Sequence, residues 1–305
     1  MVHPIKNKAF ARHHINNQTL YFLHIPKTAG TTLITILDKY YKPESILKAH
    51  SWNELLPQLP LDFSKYRFVR GHFGYSIVRL IPKNPTCITM LRDPIELMIS
   101  AYKMLSRQKD DIERFHIPTD KNLSELIEGP YLEGLKNPQT HWLVIEQDIL
   151  KRTESLNKNQ LQNYRPKEDE NLLPKISYEK FLKIAKKRIS KFAFVGIVEK
   201  MEESLFLLNY TFGWKPIRNT VKENISIDSN IKLTDKAMKK LTKITKIDQK
   251  LYKYATNIFE EKYSKMVKDL HQKYYESKFK NMESNDIIFE MLKKEYLKNK
   301  ITDKF

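Results

Sequence analysis

Residues Leu20 to Thr32, LYFLHIPKTAGTT, decide how the rest of the chain is read. Leu20, Tyr21, Phe22, Leu23 and Ile25 form an apolar, aromatic-rich run of strand length, and Pro26 removes a backbone donor and ends it. Gly30 is expected to supply a backbone conformation closed to other residues. Lys27, Thr28, Thr31 and Thr32 surround the turn with an ammonium and three hydroxyls. From Thr31 to Tyr41, Leu33, Ile36, Leu37 and Tyr40 recur on one helical face. A strand, a basic turn and a helix start in that order favour a multiply charged anion. Free first-turn N–H groups, the positive end of the helix dipole and a lysine all converge there.

Three more strands follow the same logic. Tyr66 to Arg70 opens YRFVRGHFGYS, where Gly71 and Gly74 flank His72 in a turn that can present a side chain at a cleft. Thr86 to Leu91, TCITML, runs into Arg92, Asp93 and Pro94. Pro94 suits the first turn of a helix carrying Ile95, Met98, Ile99 and Tyr102, with Ser100 eight residues after Arg92. Phe192 to Val198, FAFVGIV, leads into a helix with Met201, Leu205, Leu208 and Phe212 on one side, closed by Gly213. Strands separated by helical segments predict an α/β fold of P-loop-like, three-layer type, with a mainly parallel central sheet and helices on both faces. The two basic turns then lie at the carboxyl ends of strands, the edge where such sheets bind ligands.

The chain has 305 residues, 41% apolar and 11% aromatic, enough to bury a full core despite a formal charge of +18. That charge suits an acidic partner such as a glycan, a nucleotide or an anionic membrane, and equally follows from the lysine- and asparagine-rich composition throughout. Cys87 is the single cysteine, so an intramolecular disulfide and a cysteine-rich zinc site are excluded. No stretch reaches the roughly 18 to 20 apolar residues of a membrane span, and the N-terminus lacks a signal-peptide core, so a cytoplasmic enzyme or an excised catalytic part is expected. The expected organisation is a polar arm over 1–18, a main domain over 19–260 with a flexible insertion at about 151–177, and a basic helical extension over 261–305. His13 and His14 in the arm are expected to face solvent. From Leu233 onward, Ala237, Leu241, Ile244, Leu251, Ala255 and Ile258 predict one helix, interrupted at one step by Asp248. No zinc-finger, RNP or GxGxxG pattern is present, and no nucleic-acid partner is expected.

The nucleotide P-loop GxxxxGK[ST] places its lysine after the glycines, whereas Lys27 precedes Gly30. HIPKTAGTT instead resembles the 5′-phosphosulfate loop of sulfotransferases that use 3′-phosphoadenosine 5′-phosphosulfate (PAPS), particularly the carbohydrate group whose loops read close to HIPKTGGT. LRDPIELMISAY resembles the 3′-phosphate motif of the same superfamily, and RGHFGY is similar to the histidine segment of its 2-O-sulfotransferase-like members. NPQTHWL resembles a segment near the acceptor site, with His141 where those sequences usually carry arginine. DQKLYKYA is similar to a segment that closes bacterial members. RNTVKEN, Arg218 to Asn224, stands where members often bring basic or polar groups to the nucleotide. Golgi members carry an N-terminal membrane anchor, and departure from that pattern is what suggests a cytoplasmic enzyme or an excised catalytic part.

The resemblance implies PAPS as co-substrate, without a metal, and in-line sulfuryl transfer to an acceptor hydroxyl of a glycan or polysaccharide. Lys27, Thr28, Ala29, Gly30, Thr31 and Thr32 would hold the 5′ end, and Arg92 and Ser100 the 3′-phosphate. Arg70, Gln139, Thr140 and His141 become candidate acceptor contacts. His72 is the candidate base, since a histidine titrating near neutrality suits removal of a hydroxyl proton. His24 competes for that role but is better placed to order the loop, while His50 and His116 lack a comparable setting. Arg70 stands where some members have a second histidine, so no paired-histidine arrangement is expected. Two other readings stay open: an inactive nucleotide- or polyanion-binding protein on the same fold, and a P-loop kinase, which the position of Lys27 and the lack of a magnesium-binding acidic motif disfavour.

Overall fold

The sheet forms where the sequence concentrates its apolar residues. The computed structural model describes residues 18–107, 112–113, 116–131, 135–144, 155–163, 177–218, 232–276, 279 and 282–302. Strands β1 (Leu20–Leu23), β2 (Phe68–Gly71), β3 (Thr86–Leu91) and β4 (Phe194–Ile197) lie in the order β2-β1-β3-β4, and every pair is parallel. All residues of β1, β2 and β4 are buried, so both faces of the sheet are covered, as a parallel sheet requires. The chain leaves β1 toward β2 on one side, then crosses to β3 on the other and continues to β4. The connections diverge at β1 and β3, and the crevice beyond the carboxyl ends of such a strand pair is the ligand site of open α/β sheets. HIPKTAGTT follows β1 and the Arg92 turn follows β3.

Helix α1 (Gly30–Leu37) follows the first loop and tightens into a 3₁₀ turn over Asp38–Tyr40, shorter than the expected helix to Tyr41. Helix α2 (Trp52–Leu55) lies before β2. Helix α3 (Pro94–Leu105) begins with Pro94, and the Asp93 carboxylate accepts from the N–H groups of Ile95 and Glu96. Beyond it come α4 (Leu123–Glu128), α5 (Pro138–Val144), α6 (Lys158–Asn163), α7 (Tyr178–Ile189) and α8 (Met201–Phe212), the last ending at Gly213 with φ 66°. Residues 1–17, and the 151–177 segment apart from 155–163 and 177, lie outside the described residues, as do His13 and His14.

The single helix expected from Leu233 is two: α9 (Asp235–Ile244) and α10 (Lys246–Tyr274), with Thr245 between them. Asn137 explains the break. Its N–H donates to the Ile244 carbonyl, and its Oδ1 accepts from the N–H groups of Ile247 and Asp248. One residue thus satisfies backbone groups on both sides of the interruption.

Helix α10 runs unbroken across residues 260 and 261 and packs on α8 and β4, and α11 (Ser284–Thr302) packs on both helices. Met266, Leu270, Phe279, Met291 and Leu292 share one hydrophobic core with the sheet. Among the described residues, no helix is long and apolar enough to cross a membrane. Met266 is fully buried, so Met266→Ala should cost about 2–5 kcal/mol. Calorimetric unfolding should show the whole transition moving down, with no separate C-terminal phase.

Candidate anion site and histidine cluster

The loop after β1 takes its shape from two non-glycine residues. Lys27 (φ 69°) and Ala29 (φ 57°) are left-handed, whereas Gly30 is not, which corrects the expectation that Gly30 supplies the unusual backbone. Gly30 is needed for space: a Cβ there would sit 1.7 Å from His24 Nε2. Buried Thr28 donates its hydroxyl to the Ile25 carbonyl at 2.8 Å, so this hydroxyl closes the turn instead of facing a ligand. Helix α1 starts at Ala29 with no side-chain cap, leaving the first-turn N–H groups of Gly30, Thr31 and Thr32 without intrahelical partners. Among the described residues, the hydroxyls of exposed Thr31 and half-buried Thr32 have no partner.

A second cation stands beside Lys27. Arg92 Nη1 lies 3.4 Å from the Lys27 carbonyl oxygen, and Arg92 Nη2 is 3.8 Å from a carboxylate oxygen of Glu96. Burial, and then Arg92, pull the Lys27 ammonium below its ordinary pKa. A bound anion would relieve that repulsion. Ser100 is half-buried two turns into α3, and no hydrogen bond joins it to Arg92.

The β1–β2 register pairs Leu23 with Gly71, so the next residues, His24 and His72, stand side by side. Their ring centroids are 4.3 Å apart, and His72 Nδ1 lies 3.0 Å from the His24 carbonyl oxygen. A histidine pair therefore exists after all, formed across the sheet and not along β2, where the sequence led none to be expected. A carbonyl only accepts, so this bond puts the proton of neutral His72 on Nδ1 and leaves the Nε2 lone pair available. Burial holds His72 below its ordinary pKa. His50 also belongs here, contrary to expectation, because its carbonyl accepts from the His72 N–H at 2.7 Å. Burial, then His72 and His50, push His24 down to about 3.

The expected acceptor contacts have internal partners. Arg70 is buried, giving Nε and Nη2 to the two Asp38 carboxylate oxygens at 2.7 and 2.9 Å and Nη1 to the Leu47 carbonyl at 3.0 Å. Gln139 and Thr140 are buried and bond to Arg92 and Asp248. Burial lowers the pKa of His141, and its neighbour Trp142 reaches the cluster, ring to ring with His72 at 5.8 Å. Of RNTVKEN only Arg218 is described, and it pairs with Asp286 over the Phe289 ring. Sequence reading missed Glu199, Tyr252 and the role of Asp248, although the spacing of four in DQKLY sets Asp248 and Tyr252 on one helical face. Among the described residues, no group of three or more His, Cys, Asp or Glu is placed to hold a metal ion.

No family model matches the chain. It is similar to human heparan-sulfate 6-O-sulfotransferase 3, 24% identical over 296 residues, covering 83% of this chain and 60% of that protein. Chicken heparan-sulfate 6-O-sulfotransferase 2 is 22% identical over 303 residues, covering 88% of this chain and 73% of that protein. This similarity supports the carbohydrate sulfotransferase superfamily. It does not extend to the 2-O-type group that RGHFGY suggested. The all-parallel sheet surrounded by helices agrees with a sulfotransferase-like α/β fold.

Ala29→Gly should stabilise the fold by about 0.5–1 kcal/mol, because it removes a left-handed Cβ; denaturant titration checks this. Acid should destabilise the fold through His24. Below pH 6.5 the unfolded histidine takes up a proton that folded His24 refuses until about pH 3. The unfolding free energy should fall by up to about 1.4 kcal/mol per pH unit from this residue, and His24→Gln should flatten the slope between pH 6.5 and 5.

Proposed function

We propose that the chain transfers a sulfuryl group from PAPS to a carbohydrate hydroxyl. One observation carries the reading: the uncapped start of α1 and the Lys27–Arg92 pair meet beyond β1 and β3, the strands where the connections diverge. The similarity to named heparan-sulfate sulfotransferases supports the same chemistry, although the match spans only 60% of the human relative's length.

The residues present suit the two ends of the nucleotide. Lys27, Thr31, Thr32 and the free N–H groups of α1 would hold the 5′ end, with Ala29 and Gly30 shaping the backbone that presents them. Arg92 would hold the 3′-phosphate, aided by Ser100 two turns into α3. PAPS supplies the sulfuryl group. As the acceptor oxygen attacks sulfur, its proton passes to His72 Nε2 and the breaking S–O bond leaves its electron pair on the phosphate. Lys27 and the α1 dipole stabilise that charge. His72 is in the right state beforehand, neutral through burial and oriented by the His24 carbonyl. Trp142 packs ring to ring with this base, and it and its neighbour His141 are the remaining candidates to meet the acceptor.

Calorimetry with 3′-phosphoadenosine 5′-phosphate and with ATP tests the nucleotide assignment. The expected result is preference for the former, weakened about 10- to 100-fold in Lys27→Ala and in Arg92→Ala. ATP preference, or affinity unchanged in both variants, overturns it. With labelled PAPS and a glycan panel, His72→Ala should keep nucleotide affinity while kcat drops about 10²- to 10⁴-fold. Binding without turnover in the unmodified chain favours an inactive binding protein, and loss of turnover in His50→Ala alone moves the base to His50.

A further inference from the structure

Two arginines sit at the carboxyl ends of β2 and β3, the strands on either side of β1, and are treated in opposite ways. All three nitrogens of the Arg70 guanidinium are bonded, to Asp38 and to the Leu47 carbonyl. Around Arg92 it is the backbone that is saturated. The Gln139 carboxamide accepts from the Arg92 N–H at 2.9 Å and donates to the Arg92 carbonyl at 2.8 Å, continuing β3 with a side chain as partner. The Asp93 N–H donates to Glu199 at 2.8 Å. Among the described residues, the Arg92 guanidinium has only the Lys27 carbonyl at 3.4 Å and Glu96 at 3.8 Å. Its main chain is fixed while its side chain keeps donors for something else.

Both clamping residues are held from α10. Asp248, itself 1% exposed, accepts from the Gln139 N–H at 2.9 Å, the Thr140 N–H at 2.7 Å and the Thr140 hydroxyl at 2.6 Å. Tyr252, one turn further along, donates its hydroxyl to Glu199 at 2.7 Å, on the carboxylate oxygen that Asp93 does not use. Two side chains four apart on one helix therefore secure the Arg92–Asp93 turn through two separate intermediaries. Burying a carboxylate at Asp248 is costly unless it is fully hydrogen-bonded, and three donors meet that requirement.

We propose that Asp248 and Tyr252 are positioning residues that set the Arg92 guanidinium for a phosphate monoester, acting through Gln139 and Glu199. The proposal deepens the sulfotransferase reading and rests on it, since that reading gives Arg92 the 3′-phosphate. Helix α10 thereby determines which nucleotide the site prefers. A merely structural role would weaken all nucleotides together, whereas a positioning role acts on the 3′-phosphate alone.

The test compares 3′-phosphoadenosine 5′-phosphate with adenosine 5′-phosphate by calorimetry on the full chain, with Tm measured alongside. Arg92→Ala should abolish the preference for the 3′-phosphorylated ligand. Tyr252→Phe, which removes one oxygen, and Gln139→Ala should each reduce that preference about 3- to 10-fold, with adenosine 5′-phosphate affinity within about 2-fold of the unmodified chain. Glu199→Ala should do the same, and Glu199→Gln, which keeps an acceptor for Asp93, should restore the preference. If Arg92→Ala loses the preference while Tyr252→Phe and Glu199→Ala keep it, the proposal is overturned alone. Equal weakening of both ligands in Tyr252→Phe also overturns it. An unchanged preference in Arg92→Ala overturns the nucleotide reading and the proposal together.

Discussion

The parallel pairing of β1 with β2 on one side and β3 on the other is the constraint from which the site follows. Its register aligns Leu23 with Gly71 and with Thr89, so the residues that leave these strands emerge at one edge. His24 meets His72 because their strands end together. The Arg92 turn reaches the Lys27 carbonyl because β3 runs two residues beyond its pairing with the end of β1. A one-residue slip would reverse the facing of every strand side chain and would part these groups.

Around that edge the protein fixes backbone and leaves selected side chains with few partners. Thr28 closes the first loop, the His24 ring fills the space over Gly30, and Gln139 completes the end of β3. What remains is an uncapped helix start and two adjacent cations. Preorganisation of this kind favours anion binding, because the repulsion between Lys27 and Arg92 already exists before the ligand arrives. The helices beyond residue 233 take part in this arrangement, since Asp248 and Tyr252 reach the Arg92 turn and Met266 shares the sheet's core.

Much of the fold was legible because its signals are local. Apolar runs bounded by Pro26 and by Arg92-Asp93-Pro94 mark strand ends, and Pro94 and Gly213 mark a helix start and a helix stop. The strand, turn and helix start of the candidate site were legible where a motif is contiguous, as in HIPKTAGTT. What escaped was set across the sheet or between distant segments. The pairing of His24 with His72 depends on register, and the break at Thr245 depends on Asn137, more than a hundred residues earlier in sequence. Gln139 and Thr140 read as ligand contacts because NPQTHWL resembles a segment near the acceptor site of carbohydrate sulfotransferases, whereas both are buried and bonded to Asp248. Their partner Asp248 reads as a flaw in an apolar seam, and only the fold shows that each explains the other.

The most direct measurement of the central claim is a crystal structure with 3′-phosphoadenosine 5′-phosphate bound. The account predicts the 5′-phosphate on the first-turn N–H groups of α1 beside Lys27, and the 3′-phosphate on the Arg92 guanidinium, with the Gln139 and Glu199 bonds to the turn intact. A nucleotide bound away from the carboxyl ends of β1 and β3, or held with its two phosphates exchanged, would contradict it.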